Sequence, residues 1–237
     1  GNLYSKELPV RTSGPYFSTG NGIIEFSPGN LQYHPTNNEW RFAEFQTDCI
    51  GGANDNISDT FDGWIDLFGW GTGSNPTNIS EGGETYIFTD WGINQIGNDT
   101  PYTWRTLTDK EWHYLRYERN NAERLIGVAQ INEVNGLILL PDDWTCPEGV
   151  GFQAGFHTER DDTYYAAYQK ISHSDWSKME QAGAIFLPAA GSRYVSQTDL
   201  VQFYGCYWTA SSYNDYSACI FQFFSNGADI DDLNRSM

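Results

Sequence analysis

The stretch YGCYWTASSYNDYSACIFQFFSNGADIDD, residues 204–232, decides the fold class. Its large apolar residues alternate with small and polar ones, and this period of two predicts strands over 204–211, 217–224 and 228–232. Between them lie Ser-, Asn- and Gly-bearing segments with turn chemistry. The last third of the chain is therefore expected to be mainly β. In its first hairpin, alternation sends Trp208, Ala210, Phe221 and Phe223 toward a core. It sends Tyr207, Thr209, Ser211, Ile220, Gln222 and Phe224 to an outward face.

Upstream, residues 23–27, 31–34 and 40–45 alternate in the same way, with Ser27-Pro28-Gly29-Asn30 as a turn between the first two. The short apolar runs at 137–140 and 184–187 have the length of buried strands. Two helices interrupt this pattern. Thr108-Asp109-Lys110-Glu111 is a capping box that opens an amphipathic segment with Trp112 and Leu115 on one face. A second helix begins near Ser174, places Trp176 and Met179 three apart, and stops at Gly183, a residue suited to a left-handed C-cap. The combination predicts an α+β fold. We read a single domain over 22–237, preceded by an irregular lead-in over 1–21.

Composition narrows the functional classes. The 237 residues include 16% aromatic residues and 24 glycines but only 19% charged residues, which suits a compact fold with many ordered loops. Residues 51–103 are rich in Gly, Asn and Asp, yet they carry Phe61, Trp64, Phe68, Trp70, Tyr86 and Trp91. So many large rings predict loops pinned to a core. The net charge of -18 repels phosphate backbones and anionic membrane surfaces, so nucleic acid is not an expected partner. No apolar run approaches the ~20 residues of a membrane span, and no signal-peptide leader is present. Cys49, Cys146, Cys206 and Cys219 show no zinc-ligand spacing, and Cys206 and Cys219 are either partners across a hairpin or free buried thiols.

Several segments resemble, in order, the Fibrobacter succinogenes major paralogous domain family. They are Phe26-Ser27-Pro28-Gly29-Asn30-Leu31-Gln32-Tyr33, Trp40-Arg41-Phe42-Ala43-Glu44, and Gly63 to Gly71 (GWIDLFGWG). Trp104-Arg105-Thr106-Leu107-Thr108, Leu139 to Trp144 (LLPDDW), Gly183 to Gly191 (GAIFLPAAG) and Tyr207-Trp208 complete the set. The resemblance covers most of the chain from about Phe26. It implies a C-type-lectin-like fold shared with formylglycine-generating enzymes and retroelement-diversified receptors, with two helices packed on a small twisted antiparallel sheet and long inserted loops. It also implies a secreted or cell-surface protein, often a lipoprotein, of Bacteroides-type bacteria. The family's pattern continues past the position of Arg235 with a further Gly-containing strand, whereas this sequence ends at Met237.

Chemistry is sparse by comparison. His34, His113, His157 and His173 are scattered, and none lies in a recognisable nucleophile motif. The doublets Asp142-Asp143 and Asp161-Asp162 read as solvated loop residues. Cys206 and Cys219 do not match the closely spaced pair of formylglycine-generating enzymes, so those catalytic residues are not carried over and no enzymatic activity is expected. Calcium needs six to eight oxygens. The oxygen-rich stretches at 54–59 and at Asp229-Ile230-Asp231-Asp232 complete no loop pattern, and the sugar-binding motifs of calcium-dependent lectins are missing, so no cofactor is expected.

Binding is the expectation that remains. The outward set named above, with the turn residues Ser212, Tyr213, Asn214, Asp215 and Tyr216 and the acidic Asp229, Asp231 and Asp232, mixes rigid rings with short hydrogen-bonding groups, as recognition surfaces do. The expected partner is an extracellular protein or glycan. In diversified relatives, mutagenised Asn codons cannot become Trp, Lys, Glu, Gln or Met. These five types supply two of the last 27 residues, against about four or five at the frequency of the preceding 210, too small a depletion to establish diversification. One competing reading is a structural or adhesin subunit whose open C-terminal edge accepts a partner strand. A further competitor is an oxidase of the formylglycine-generating type.

Overall fold

The computed structural model describes residues 4–7, 14–79, 87–157 and 168–234. Tyr86, Asp161, Asp162 and residues 235–237, each read above, lie outside them. The fold mixes α and β and is mostly strand. The first strands are β1 (Tyr4–Glu7), β2 (Phe17–Ser18), β3 (Ile23–Phe26), β4 (Leu31–His34), β5 (Glu39–Phe42) and β6 (Arg105–Thr106). Helix α1 (Asp109–His113) runs directly into a π-helical turn, Tyr114–Glu118. Then come β7 (Ile126–Ile131), β8 (Val134–Leu139), β9 (Gln169–Ile171), helix α2 (His173–Gln181), β10 (Ile185–Pro188), β11 (Ser192–Tyr194) and β12 (Gln197–Asp199). The chain closes with β13 (Gly205–Ser212), β14 (Ser217–Phe224) and β15 (Gly227–Asn234).

These strands form several small sheets rather than one: β2-β3-β1-β6, β4-β5, β10-β8-β7-β9, β11-β12 and β13-β14-β15. Most are two to four residues long and end at turns before pairing can spread. Single bridges such as Gly127–Gly155 and Gly191–Gly205 lie outside them. Within the lead-in expected to be irregular, Tyr4–Glu7 and Phe17–Ser18 are strands. β1 sits between β3 and β6 with Tyr4 fully buried, because backbone pairing holds a strand whose own sequence lacks apolar alternation.

Both helices start as their caps require. The Thr108 hydroxyl accepts from the Glu111 N–H while the Glu111 carboxylate accepts from the Thr108 N–H. Helix α2 begins at His173, beside the expected Ser174, with Ser172 as its cap, and its chain reverses at Gly183, where φ is +94°. Helix α1 packs on the β13-β14-β15 sheet, with Trp112 stacked on Phe221 at 4.3 Å and 5°. Helix α2 packs elsewhere: Trp176 and Met179 bury against Ile131, Ile138 and Phe186 of the β10-β8-β7-β9 sheet.

The C-terminal sheet is buried on both faces. On one side Tyr207, Phe221 and Phe223 join Trp112, Leu115, Val128 and Leu137. On the other, Cys206, Trp208 and Ile220 join an aromatic layer of Trp40, Phe68, Trp70, Trp91 and Trp104. The loops of residues 51–103 are thus pinned by their rings, as their composition predicts. Among the described residues, no helix is long and apolar enough to cross a membrane.

Candidate functional site

The register of the C-terminal hairpin corrects the expected division of its faces. Tyr207 pairs with Phe221 and Trp208 with Ile220, so Phe221 and Phe223 share a face with Tyr207, not with Trp208. Alternation fixes which residues of one strand share a face, but the turn fixes how two strands align. Here the pairing shifts between Trp208 and Ser212.

Three residues expected to face outward are therefore buried. Tyr207, Thr209 and Ile220 are each 0% exposed. The Tyr207 hydroxyl donates to the Pro188 carbonyl at 2.7 Å, and the Thr209 hydroxyl donates to the Cys219 carbonyl at 2.9 Å. Ile220 lies under the aromatic layer. Phe224 is half-buried and stacks on Tyr204 at 4.7 Å and 22°. These four serve packing: rings from the loops of residues 51–103 cover Ile220 and Phe224, whereas helix α1 and strands β7 and β8 cover Tyr207 on the other face.

The turn residues behave differently. Ser212, Tyr213, Asn214, Asp215 and Tyr216 form a continuous exposed run, with Tyr213 and Tyr216 exposed to 64% and 70%. The turn that carries them is ordered by its own hydrogen bonds. The Asn214 side-chain oxygen accepts from the N–H groups of Tyr216 and Ser217, both at 2.8 Å, and the Ser217 carbonyl accepts from those of Tyr213 and Asn214. An Asn side chain that mimics a backbone turn in this way lowers the conformational freedom of the loop.

Behind the tip, the hairpin is fastened to distant parts of the chain. The Ser211 hydroxyl donates to the Asp109 carboxylate at 2.7 Å and accepts from the Asp109 N–H at 3.2 Å. The indole N–H of Trp70 donates to the Thr209 carbonyl, and that of Trp208 to the Phe68 carbonyl, each at 2.8 Å. Gly205 lies under the Phe223 ring, where a Cβ would come within 2.0 Å of a ring carbon. The two exposed rings stand on a rigid base.

The remaining expected site residues are spread along β14 and β15: Gln222 lies opposite Asp229, Asp231 opposite Ile220, and Asp232 opposite Cys219, nearer the tip. Gln222 donates to Asp229 at 3.0 Å and Asp231 at 2.8 Å, and accepts from the Tyr204 hydroxyl at 2.8 Å. Asp229 and Asp231 are exposed and Asp232 is half-buried. At about 3.3 Å per residue, Gln222 and Asp229 lie roughly 20 Å from the tip and do not join Tyr213 and Tyr216 in one site, whereas Asp232, opposite Cys219, lies only two residues from the tip end of β14.

None of the four cysteines is in a disulfide. Cys206 pairs with Gln222 across the hairpin, so Cys206 and Cys219 point to opposite faces of the sheet and do not face each other. Burial raises both thiols, and Asp109 and Asp232 raise Cys219 further. Burial, reinforced by Asp66, pushes Cys49 up to about 11. Thiolates, the nucleophilic form of cysteine, are disfavoured at all three positions.

Other residues singled out for chemistry are occupied structurally. In the first oxygen-rich stretch, buried Asn54 accepts from the N–H groups of Asp66 and Leu67 and donates to the Asp66 carboxylate at 2.9 Å. Asp142 accepts from Arg119 at 3.0 Å and from the Ser18 N–H and hydroxyl, which ties β2 to the end of β8. Among the described residues, no three His, Cys, Asp or Glu side chains cluster closely enough to hold a metal ion. Sequence reasoning missed Arg116, Tyr117 and Asn226, which line a cleft at the far end of the sheet. No helical period signals a π-helical turn, and the three meet only in the folded chain.

The chain has no significant match to a protein-family model, a curated protein or a solved structure.

Proposed function

We propose that this protein is an extracellular or cell-surface binding module of C-type-lectin-like fold, without enzymatic activity, that engages a protein or glycan through the hairpin tip at 212–216. One observation carries the reading: Tyr213 and Tyr216 stand exposed on a turn whose backbone is held by Asn214 and Ser217. Exposed aromatic rings on a preorganised loop lose little conformational entropy on contact, which is where binding energy concentrates. The ordered set of family-like motifs supports the fold assignment and the surface location, as do the two capped helices and the three-stranded C-terminal sheet.

The reading as a strand-accepting subunit finds less support. The open edge of β15 carries Asp229, Asp231 and Asp232, and its Ala228 carbonyl already accepts from Arg116 and Tyr117. Charged edges of this kind resist strand addition. The oxidase reading requires a reactive thiol pair, and Cys206 and Cys219 are raised by burial and face apart.

A screen of the full chain against glycan and surface-protein arrays tests the proposal, followed by the variant Tyr213→Ala/Tyr216→Ala. Loss of two central aromatic anchors is expected to weaken binding at least a hundredfold, about 3 kcal/mol, with the melting temperature unchanged within error. Retained binding by the double variant would refute the assignment.

A further inference from the structure

At the end of the C-terminal sheet remote from the tip, a cleft of about 220 Å³ opens between the π-helical turn Tyr114–Glu118 and the turn joining β14 to β15. Arg116, Gln222, Asn226 and Asp229 line it, with the rings of Tyr117 and Phe224 beside them. π-helical turns recur at functional sites because the extra residue redirects side chains that a regular helix would place elsewhere. Here Arg116 Nε donates to the Ala228 carbonyl at 2.9 Å, and the Tyr117 hydroxyl donates to the same oxygen at 3.2 Å.

Arg116, Gln222 and Asp229 are each held in a defined orientation. The Arg116 guanidinium lies over the Tyr117 ring at 4.6 Å and the Phe156 ring at 5.1 Å, which fixes its plane. Among the described residues, its terminal nitrogens have no hydrogen-bond partner. Across the cleft, the Tyr204 hydroxyl donates to Gln222 Oε1, so Gln222 Nε2 points to Asp229 Oδ1 at 3.0 Å. That bond holds the carboxylate with Oδ2 available to a ligand.

We infer that this cleft binds a single neutral sugar ring. The donor-only guanidinium of Arg116, the acceptor-only carboxylate of Asp229 and the Asn226 amide, which both donates and accepts, line one small space. Hydroxyl groups, which donate and accept, satisfy all three. A ligand of net charge meets its own sign: an anion faces Asp229 and a cation faces Arg116. The volume lies below the roughly 300–1,000 Å³ of pockets for drug-sized ligands, and so fits one ring at a time. Tyr117, exposed to 47%, offers an aromatic surface for the apolar face of that ring. The inference goes beyond the tip reading and uses none of its residues.

The test titrates the full isotope-labelled chain with the methyl glycosides of glucose, galactose, mannose and N-acetylglucosamine, with glucuronate as a net-charged comparator and glycine as a zwitterionic one. At least one neutral glycoside is expected to shift the amide signals of Tyr117 and residues 226–229 saturably. Asn226→Ala and Asp229→Asn should each weaken that binding about tenfold with unfolding unchanged. Tyr213→Ala/Tyr216→Ala should leave it intact, which separates this site from the tip. The inference is overturned if no neutral glycoside binds, if glucuronate or glycine binds more tightly, or if the two cleft variants keep full affinity.

Discussion

Asp66 shows how a single buried group sets a pH dependence. It is 0% exposed, and burial raises its carboxyl above the ordinary range despite the opposing hydrogen bonds from Asn54 and the Ile50 N–H. A carboxyl whose folded pKa is raised gives stability that is fully present below the unfolded value, about 3.9, and lost as pH rises through the folded value. Asp66→Asn removes this titration. The melting temperature of the variant relative to the native chain is therefore expected to climb between pH 4 and pH 7.5, and a flat or falling difference would contradict the assignment. Arg193 is a second such group. Its Nε donates to the Leu67 carbonyl at 2.9 Å and its Nη1 to the Val195 carbonyl, but Nη2 has no partner among the described residues, and burial lowers it to about 10. Val195 sits there at φ 55°, a left-handed conformation costly for a β-branched residue. Neither buried charge was legible in the sequence, because an Asp between Ile65 and Leu67, or an Arg between Ser192 and Tyr194, carries no local sign of the distant groups that bury and bond it.

Helix α1 separates local from tertiary stabilisation. Five residues are too few to form a helix alone, so the capping box starts it and packing against the sheet holds it. Thr108→Ala is expected to cost about 1 kcal/mol, the worth of a cap. Trp112→Ala, which removes the ring stacked on Phe221, is expected to cost about 3–5 kcal/mol. Denaturant unfolding of both variants checks the ratio, and a cap variant as damaging as the ring variant would overturn this division. The cap was readable because Thr108 and Glu111 are three residues apart and their interaction is local. The strands of the C-terminal hairpin were readable for the same reason. Their face assignment was not, because register depends on the turn and on the bulge after Trp208.

Across the whole molecule, 31 acidic residues against 13 basic ones make self-repulsion a standing cost to the folded state. Raising salt from about 0.01 M to about 0.1 M shortens the Debye length from roughly 30 Å to roughly 10 Å. The melting temperature at neutral pH is expected to rise by several degrees over that range. A fall would mean that ion pairs such as Arg105–Glu111 and Arg119–Asp142 outweigh the repulsion. The same scale explains the placing of the two candidate sites. A sheet covered on both faces leaves its ends for contact, and the tip and the cleft occupy opposite ends.

By itself, the sequence determined the mixed class of the fold, the starts of both helices, the positions of the long strands and the exposure of the Tyr213–Tyr216 turn. Each follows from neighbours within four residues, the range over which side-chain periodicity and capping act. Only the tertiary structure decided that Tyr207, Thr209 and Ile220 are covered, that Cys206 and Cys219 face apart, and that Arg116, Asn226 and Asp229 line one cleft. Those outcomes rest on contacts such as Trp70 to Thr209, 139 residues apart, where no local pattern records which surface will arrive to cover which.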